Sequence, residues 1–168
     1  MSAGLADVLK KQQNQLSSLS NTEEKIDEDV MQLVGFIVGE EEYAIPILSI
    51  QEIIKPIDYT RVPTTPEYVL GVFNLRGNVI PLIDLRKKFS LKSKSVDSDT
   101  RYIVLKDGDN IAGFVIDKLT EAIRIKKSQI EDAPETMTKR DGYIYGIGKT
   151  NKGIITIINV QALLKRDF

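Results

Sequence analysis

The chain has no cysteine and no histidine. Their absence removes disulfides, thiolate nucleophiles, imidazole bases and the usual zinc ligands together. A cysteine-free chain fits a cytoplasmic protein. Charge of one sign is also missing, because the formal net charge is only -1. No basic surface for nucleic acid follows from such a balance. No segment approaches the ~18–20 continuous apolar residues that span a bilayer. The N-terminus has no apolar signal-peptide core, so secretion is not expected. What remains is 168 residues, 42% hydrophobic and 28% charged, enough for one ordinary domain or two small barrels sharing a core.

Residues Met1 to Asp29 differ from the rest. They carry a Ser/Asn/Gln stretch and the acidic run Glu23-Glu24-Lys25-Ile26-Asp27-Glu28-Asp29. Leu5, Val8, Leu9, Leu16 and Leu19 fall near one helical face, interrupted by Gln12. A lone helix of this length is weak in water, so residues 1–29 read as a mobile polar tail with transient helix. Residues 30–168 read as the folded domain. Its two parts would meet near residues 90–100, where Leu91 to Asp99 is the clearest linker, with exchange of strands between them left open.

From Val30 onward, short apolar runs dominate. Strands are expected at Met31 to Val38, Tyr43 to Ile45, Thr60 to Val62, Gly71 to Leu75 and Val79 to Asp84. Further strands are expected at Arg101 to Lys106, Ile111 to Asp117, Thr120 to Ile125, Tyr143 to Gly148 and Gly153 to Asn159. Short helical patterns fit Ile47 to Ile54, Leu85 to Phe89 and Val160 to Lys165. Many short strands with few helices argue for an all-β protein of small barrels.

The most informative stretch runs from Gly71 to Leu85. Two apolar runs flank Asn74-Leu75-Arg76-Gly77-Asn78, the pattern of a β-hairpin. Gly77 and Asn78 are expected to supply the positive φ values of its turn. Arg76 beside that turn reads either as a solvated hairpin arginine or as a contact residue on a rigid tip. The hairpin has a second copy at a constant offset. Gly71-Val72 aligns with Gly146-Ile147, and Val79 to Leu85 aligns with Ile154 to Val160. A weaker pair upstream joins Phe36 to Ile45 with Ile103 to Phe114. Two related β units in one chain account for both.

Three motifs invite chemistry and fail. Gly148-Lys149-Thr150 lacks the phosphate loop's first glycine, since Tyr143 stands there, and a strand follows instead of a helix. Asp107-Gly108-Asp109-Asn110 starts like a calcium loop, but Ile111 and Ala112 stand where an oxygen ligand and a glycine are required. Gly146 and Gly148 do not complete a dinucleotide fingerprint, because Asn151 takes the last glycine position. Catalysis through carboxylates stays open, with no defensible pairing to carry it.

The segments Gly39 to Ile47, Ile50-Gln51-Glu52-Ile53, Thr65-Pro66, Asn74-Leu75-Arg76-Gly77 and Val79 to Arg86 resemble the CheW family of bacterial chemotaxis coupling proteins. The likeness continues through Ile103-Val104-Leu105, Gly113 to Asp117, and Pro134 to Leu164. It covers about residues 30 to 165. It implies two five-stranded SH3-like β-barrels sharing a hydrophobic interface, a short C-terminal helix, no enzymatic activity and no cofactor or metal. It also implies two protein partners at membrane-associated receptor arrays, without insertion into the membrane. One is the cytoplasmic helical tip of methyl-accepting chemoreceptors, and the other is the regulatory domain of the histidine kinase CheA.

Carried over residue by residue, the family's receptor groove matches Ile47 and Ile50 on the short helix, Leu75 and Arg76 at the hairpin, and Leu119. Glu52 and Arg76 match a family pair that joins the two barrels as an ion pair. Ile47 and Ile50 also fit plain core packing. On the kinase side, Tyr59, Arg61 and Val62 sit on an edge strand bounded by Pro56 and Pro63. Such an edge is either a docking surface or merely blunted by its prolines. Besides an adaptor, the residues leave open a small-molecule-binding regulatory barrel.

Overall fold

The computed structural model describes residues 29–133 and 142–165. The expected tail, apart from Asp29, lies outside them, as does Pro134. The described residues form eleven strands: β1 (Val30–Val38), β2 (Glu41–Pro46), β3 (Ile50–Ile54), β4 (Val69–Leu75), β5 (Asn78–Asp84), β6 (Arg101–Asp107), β7 (Asn110–Ile116), β8 (Lys118–Lys126), β9 (Ile130–Glu131), β10 (Ile144–Thr150) and β11 (Gly153–Ile158). Two short helices, α1 (Leu85–Lys88) and α2 (Val160–Leu164), follow the two long hairpins. No helix among the described residues is long and apolar enough to cross a membrane.

The strands build two sheets, ordered β8-β1-β2-β11-β10-β9 and β3-β6-β7-β5-β4. The expected all-β architecture holds, and the first sheet gains a sixth strand in the two-residue β9. The sheets do not divide at the Leu91–Asp99 linker. Both neighbours of that linker, β5 and β6, lie in the second sheet. The chain crosses between sheets at the 3₁₀ turn Ile47–Ser49 and again at Asp117.

The duplication is visible in the pairing registers. Gly71 faces Leu82 in the β4–β5 hairpin, and 75 residues later Gly146 faces Ile157 in β10–β11. Both hairpins carry a bulge at the same place, between Val69 and Gly71 and between Ile144 and Gly146. Asp84 caps α1 by accepting from the Arg86 N–H, and its counterpart Asn159 caps α2 by accepting from the Ala162 N–H. Upstream the step is 69, since Gly35 faces Ala44 as Val104 faces Gly113. The same step carries Ile50, opposite Leu105, onto Leu119, opposite Phe36. Each sheet therefore takes its central hairpin from one repeat and its remaining strands from the other.

Alternation sorts the apolar side chains into three cores. Leu33, Ala44, Ile125, Ile155 and Ile157 fill the first sheet. Phe73, Ile80, Leu82, Tyr102 and Val104 fill the second. Between them lies a shared core, where Phe36 and Ile45 meet Ile103, Leu105, Phe114 and Ile116 under Leu85 and Leu163. Strands β5, β6 and β11 send side chains to both sides, which explains their continuous apolar runs. Each large side chain so buried contributes about 1.5–3 kcal/mol.

Two local expectations give way to tertiary pairing. Ile47 to Ile54 is not a helix: after the 3₁₀ turn it becomes β3, and Ile50 sits on a strand. Ile50, Ile53 and Ile54 are β-branched, and pairing with β6 satisfies their backbone across a sheet edge. Thr60 to Val62 shrinks to a single bridge, Thr60 to Val72, with mutual N–H···O bonds of 2.8 Å. Pro63 has no N–H to extend it, and Thr64 turns the chain with φ 65°. In the other repeat the matching contact is β9, where Glu131 faces Ile147. Both approaches need glycine, because a Cβ on Gly71 or Gly146 would lie 2.1 Å from the Thr60 oxygen or 2.8 Å from that of Glu131.

Candidate functional site

The Asn74 to Asn78 connection is a two-residue turn, since Leu75 pairs with Asn78. Its positive φ values belong to Arg76 (52°) and Gly77 (87°), whereas Asn78 already begins β5. Two successive left-handed residues match the right-handed twist of the flanking strands. The Asn74 side-chain oxygen accepts from the Gly77 N–H at 2.9 Å and holds the turn closed. A charged, non-glycine residue in that conformation is uncommon, so Arg76 is held at the tip by its surroundings.

Its partner is Glu52. Arg76 Nε donates to Glu52 Oε2 at 3.2 Å and Nη2 donates to Oε1 at 2.7 Å, a two-pronged arrangement. These hydrogen bonds hold the Glu52 carboxyl below the ordinary carboxylate range and raise the guanidinium further. The pair does not join the two barrels, as the resemblance implied. Glu52 is on β3 and Arg76 ends β4, the two edges of one sheet, so the ion pair closes that sheet upon itself. The Arg76 side chain remains 75% exposed while Glu52 is 22% exposed. Glu52 is the support and Arg76 is the face offered outward.

The other expected groove residues are placed separately. Ile50 and Leu119, which the repeat makes equivalent, are half-buried against the shared core. Leu75 packs instead on the second sheet's own core. Ile47 stands 42% exposed beside Leu48, which is 97% exposed. Ile47 is therefore not a core residue. Of the residues expected on a kinase-facing edge, Tyr59 and Arg61 line a cleft of about 260 Å³, and Val62 lies with Pro63 and Pro66 in a neighbouring one that Arg61 also borders.

Two further features belong to the same surfaces. Leu48 falls inside a stretch whose spacing predicts a helix, and the 3₁₀ turn that replaces the helix leaves it exposed. The second is a counterpart ion pair in the other sheet, where Lys152 Nζ lies 2.9 Å from Glu121 Oε1. Glu121 stands two residues after Leu119 as Glu52 stands two after Ile50, so the repeat carries the carboxylate, whereas Lys152 falls on the position of Gly77, one residue past that of Arg76. Lys152 offers a single prong where Arg76 offers two, which makes the sites unequal.

A family model described as CheW-like domain matches residues 32–168. The chemotaxis protein CheW of Helicobacter pylori is 54% identical over 168 residues, the full length of both chains. The chemotaxis protein CheW of Klebsiella aerogenes is 37% identical, with 79% of this chain and 80% of that protein aligned. Among solved structures, the scaffolding protein TtCheW from Thermoanaerobacter tengcongensis superposes with a TM-score of 0.72 at 35% identity, covering 76% of this chain and 88% of that one. Exchanged repeats around one shared core, a glutamate-braced arginine at a hairpin tip and these likenesses lead to one assignment: the chain belongs to the CheW-like domain family.

Proposed function

We propose that the chain is a non-enzymatic chemotaxis adaptor, joining the helical tips of chemoreceptors to the regulatory domain of the histidine kinase CheA in the cytoplasm. The CheW-like match across residues 32–168 is the observation that carries this reading. The receptor side would use Arg76, braced by Glu52, with the half-buried Ile50, Leu75 and Leu119 and the exposed Ile47 receiving the apolar stripe of a receptor helix. The kinase side would use Tyr59, Arg61 and Val62. Each sheet's interior is filled by its own apolar cluster, which favours surface recognition over an enclosed small ligand. Titration with a receptor cytoplasmic fragment and, separately, with a CheA regulatory domain tests the proposal. Binding to both supports it, and binding to neither sinks it.

A further inference from the structure

The two long hairpins that the repeat relates turn differently at their tips. In β4–β5 the last pair is Leu75 with Asn78, and in β10–β11 it is Thr150 with Gly153, so each turn holds two residues. Arg76 and Gly77 fill the first turn, and Asn151 and Lys152 fill the second. The first two are left-handed, at φ 52° and 87°, whereas neither Asn151 nor Lys152 has a positive φ. Residue type alone gives the opposite order, because asparagine enters the left-handed region more easily than arginine. The neighbours of Arg76 therefore impose its conformation. Two of them differ between the repeats. Gly77 takes the second left-handed position without strain, where the other hairpin has Lys152. The Asn74 side-chain oxygen accepts from the Gly77 N–H at 2.9 Å, where the other hairpin has Lys149, whose ammonium lies 3.0 Å from Glu131 Oε1. That second turn is held by the Thr150 hydroxyl, which accepts from the Lys152 N–H at 3.3 Å.

We propose that Asn74 is the positioning residue of this tip: its side-chain oxygen locks the turn in the left-handed form that carries the Arg76 fork onto Glu52 and keeps the guanidinium aimed outward. The ion pair cannot hold this arrangement by itself. Its arginine is 75% exposed, and an ion pair so placed contributes little against the cost of a left-handed arginine. A long side chain in solvent otherwise spreads over many rotamers. The lock is local. Asn74 lies two residues before Arg76 on β4, is itself exposed, and gives its oxygen to the turn. Asparagine forms such side-chain-to-backbone bonds readily at turns. Fixing the turn before a partner arrives removes that ordering cost from binding. A part for Asn74 in recognition rests on the receptor reading of Arg76 above, but the geometry of the fork does not.

The test follows the Arg76 Hε proton by NMR in the full chain, since Nε donates to Glu52 when the fork is formed. Asn74→Ala should speed exchange of that proton with water several-fold. Asn74→Asp, which keeps an acceptor oxygen in the same place, should restore most of the native rate. Titration with a receptor cytoplasmic fragment is the second readout. Asn74→Ala should weaken binding several-fold in the native background and cause no further loss in an Arg76→Ala background, because a residue acting only through Arg76 then has nothing left to position. Asn74 is exposed, so its variants should remain folded. A native exchange rate at Hε in Asn74→Ala overturns the proposal. Equal losses of affinity in both backgrounds also overturn it, since Asn74 would then touch the partner itself or act through the fold. If Arg76→Ala alone leaves receptor affinity unchanged, the receptor reading fails and the recognition role with it, while the exchange rates decide the positioning separately.

Discussion

Arg76 and Glu52, 24 residues apart, bridge the two edge strands of one sheet through two hydrogen bonds. The pair does two things at once. It closes the sheet's edges, and it aims a guanidinium outward from a turn whose backbone is in a left-handed conformation. In the other sheet Lys152, in the turn between β10 and β11, reaches Glu121 on the edge strand β8 with a single prong.

Arg76→Ala should weaken receptor binding at least several-fold and leave CheA binding nearly unchanged. Arg76→Lys should not rescue it fully, because an ammonium cannot reproduce the fork that grips Glu52. Lys152→Ala serves as the control and should leave receptor binding intact. Equal loss for both partners in separate titrations counts against the assignment.

Gly77→Ala should cost about 1–2 kcal/mol, the left-handed penalty of an ordinary residue. A Cβ at Gly77 meets nothing within 4 Å, so backbone conformation is the whole effect. Gly71→Ala should cost more, since its Cβ would lie 2.1 Å from the Thr60 oxygen and break the bridge to Val72. Chemical denaturation of both variants checks the order.

Phe114→Ala should cost about 3–5 kcal/mol by opening a cavity in the shared core. Both sheets line that core, so the variant should still unfold in one transition. Two separate steps by calorimetry would mean that the sheets are independent units.

Acid should destabilise the protein through Asp97 and Asp117. The Lys94 hydrogen bond, then the Asp99 N–H, lowers Asp97 to about 2. Burial pushes Asp117 up, but Arg86, at 2.8 Å through Nε, and the Gly39 N–H outweigh it and leave it lowered. A carboxylate with a depressed folded pKa stabilises above its unfolded value and loses that contribution as pH falls through the folded one. The loss should therefore run from about pH 4 downward. Asp117→Asn should lower stability at neutral pH and flatten this acid limb, as melting temperature against pH would show.

Val62→Asp should leave the fold and receptor binding intact and weaken CheA binding sharply. Val62 is only half-buried beside Pro63 and Pro66, outside the three apolar cores. Unchanged CheA affinity in a folded variant would place the kinase surface elsewhere.

The sequence by itself determined most of the extended segments, the main hairpin turns, and that one β unit occurs twice. Alternation, turn residues and a constant offset are local signals, and the paired registers of Gly71 with Leu82 and Gly146 with Ile157 follow them. Only the tertiary structure decided that each repeat lends its first hairpin to the other's sheet, because a strand's apolar pattern names its buried face and not its partner. The same reason turned Ile50 from an expected helix into β3, since the neighbour that satisfied its backbone was β6, about fifty residues away. It also moved Arg76 and Glu52 from opposite barrels to opposite edges of one. Which two edges meet is set by how a twisted sheet curls around its core.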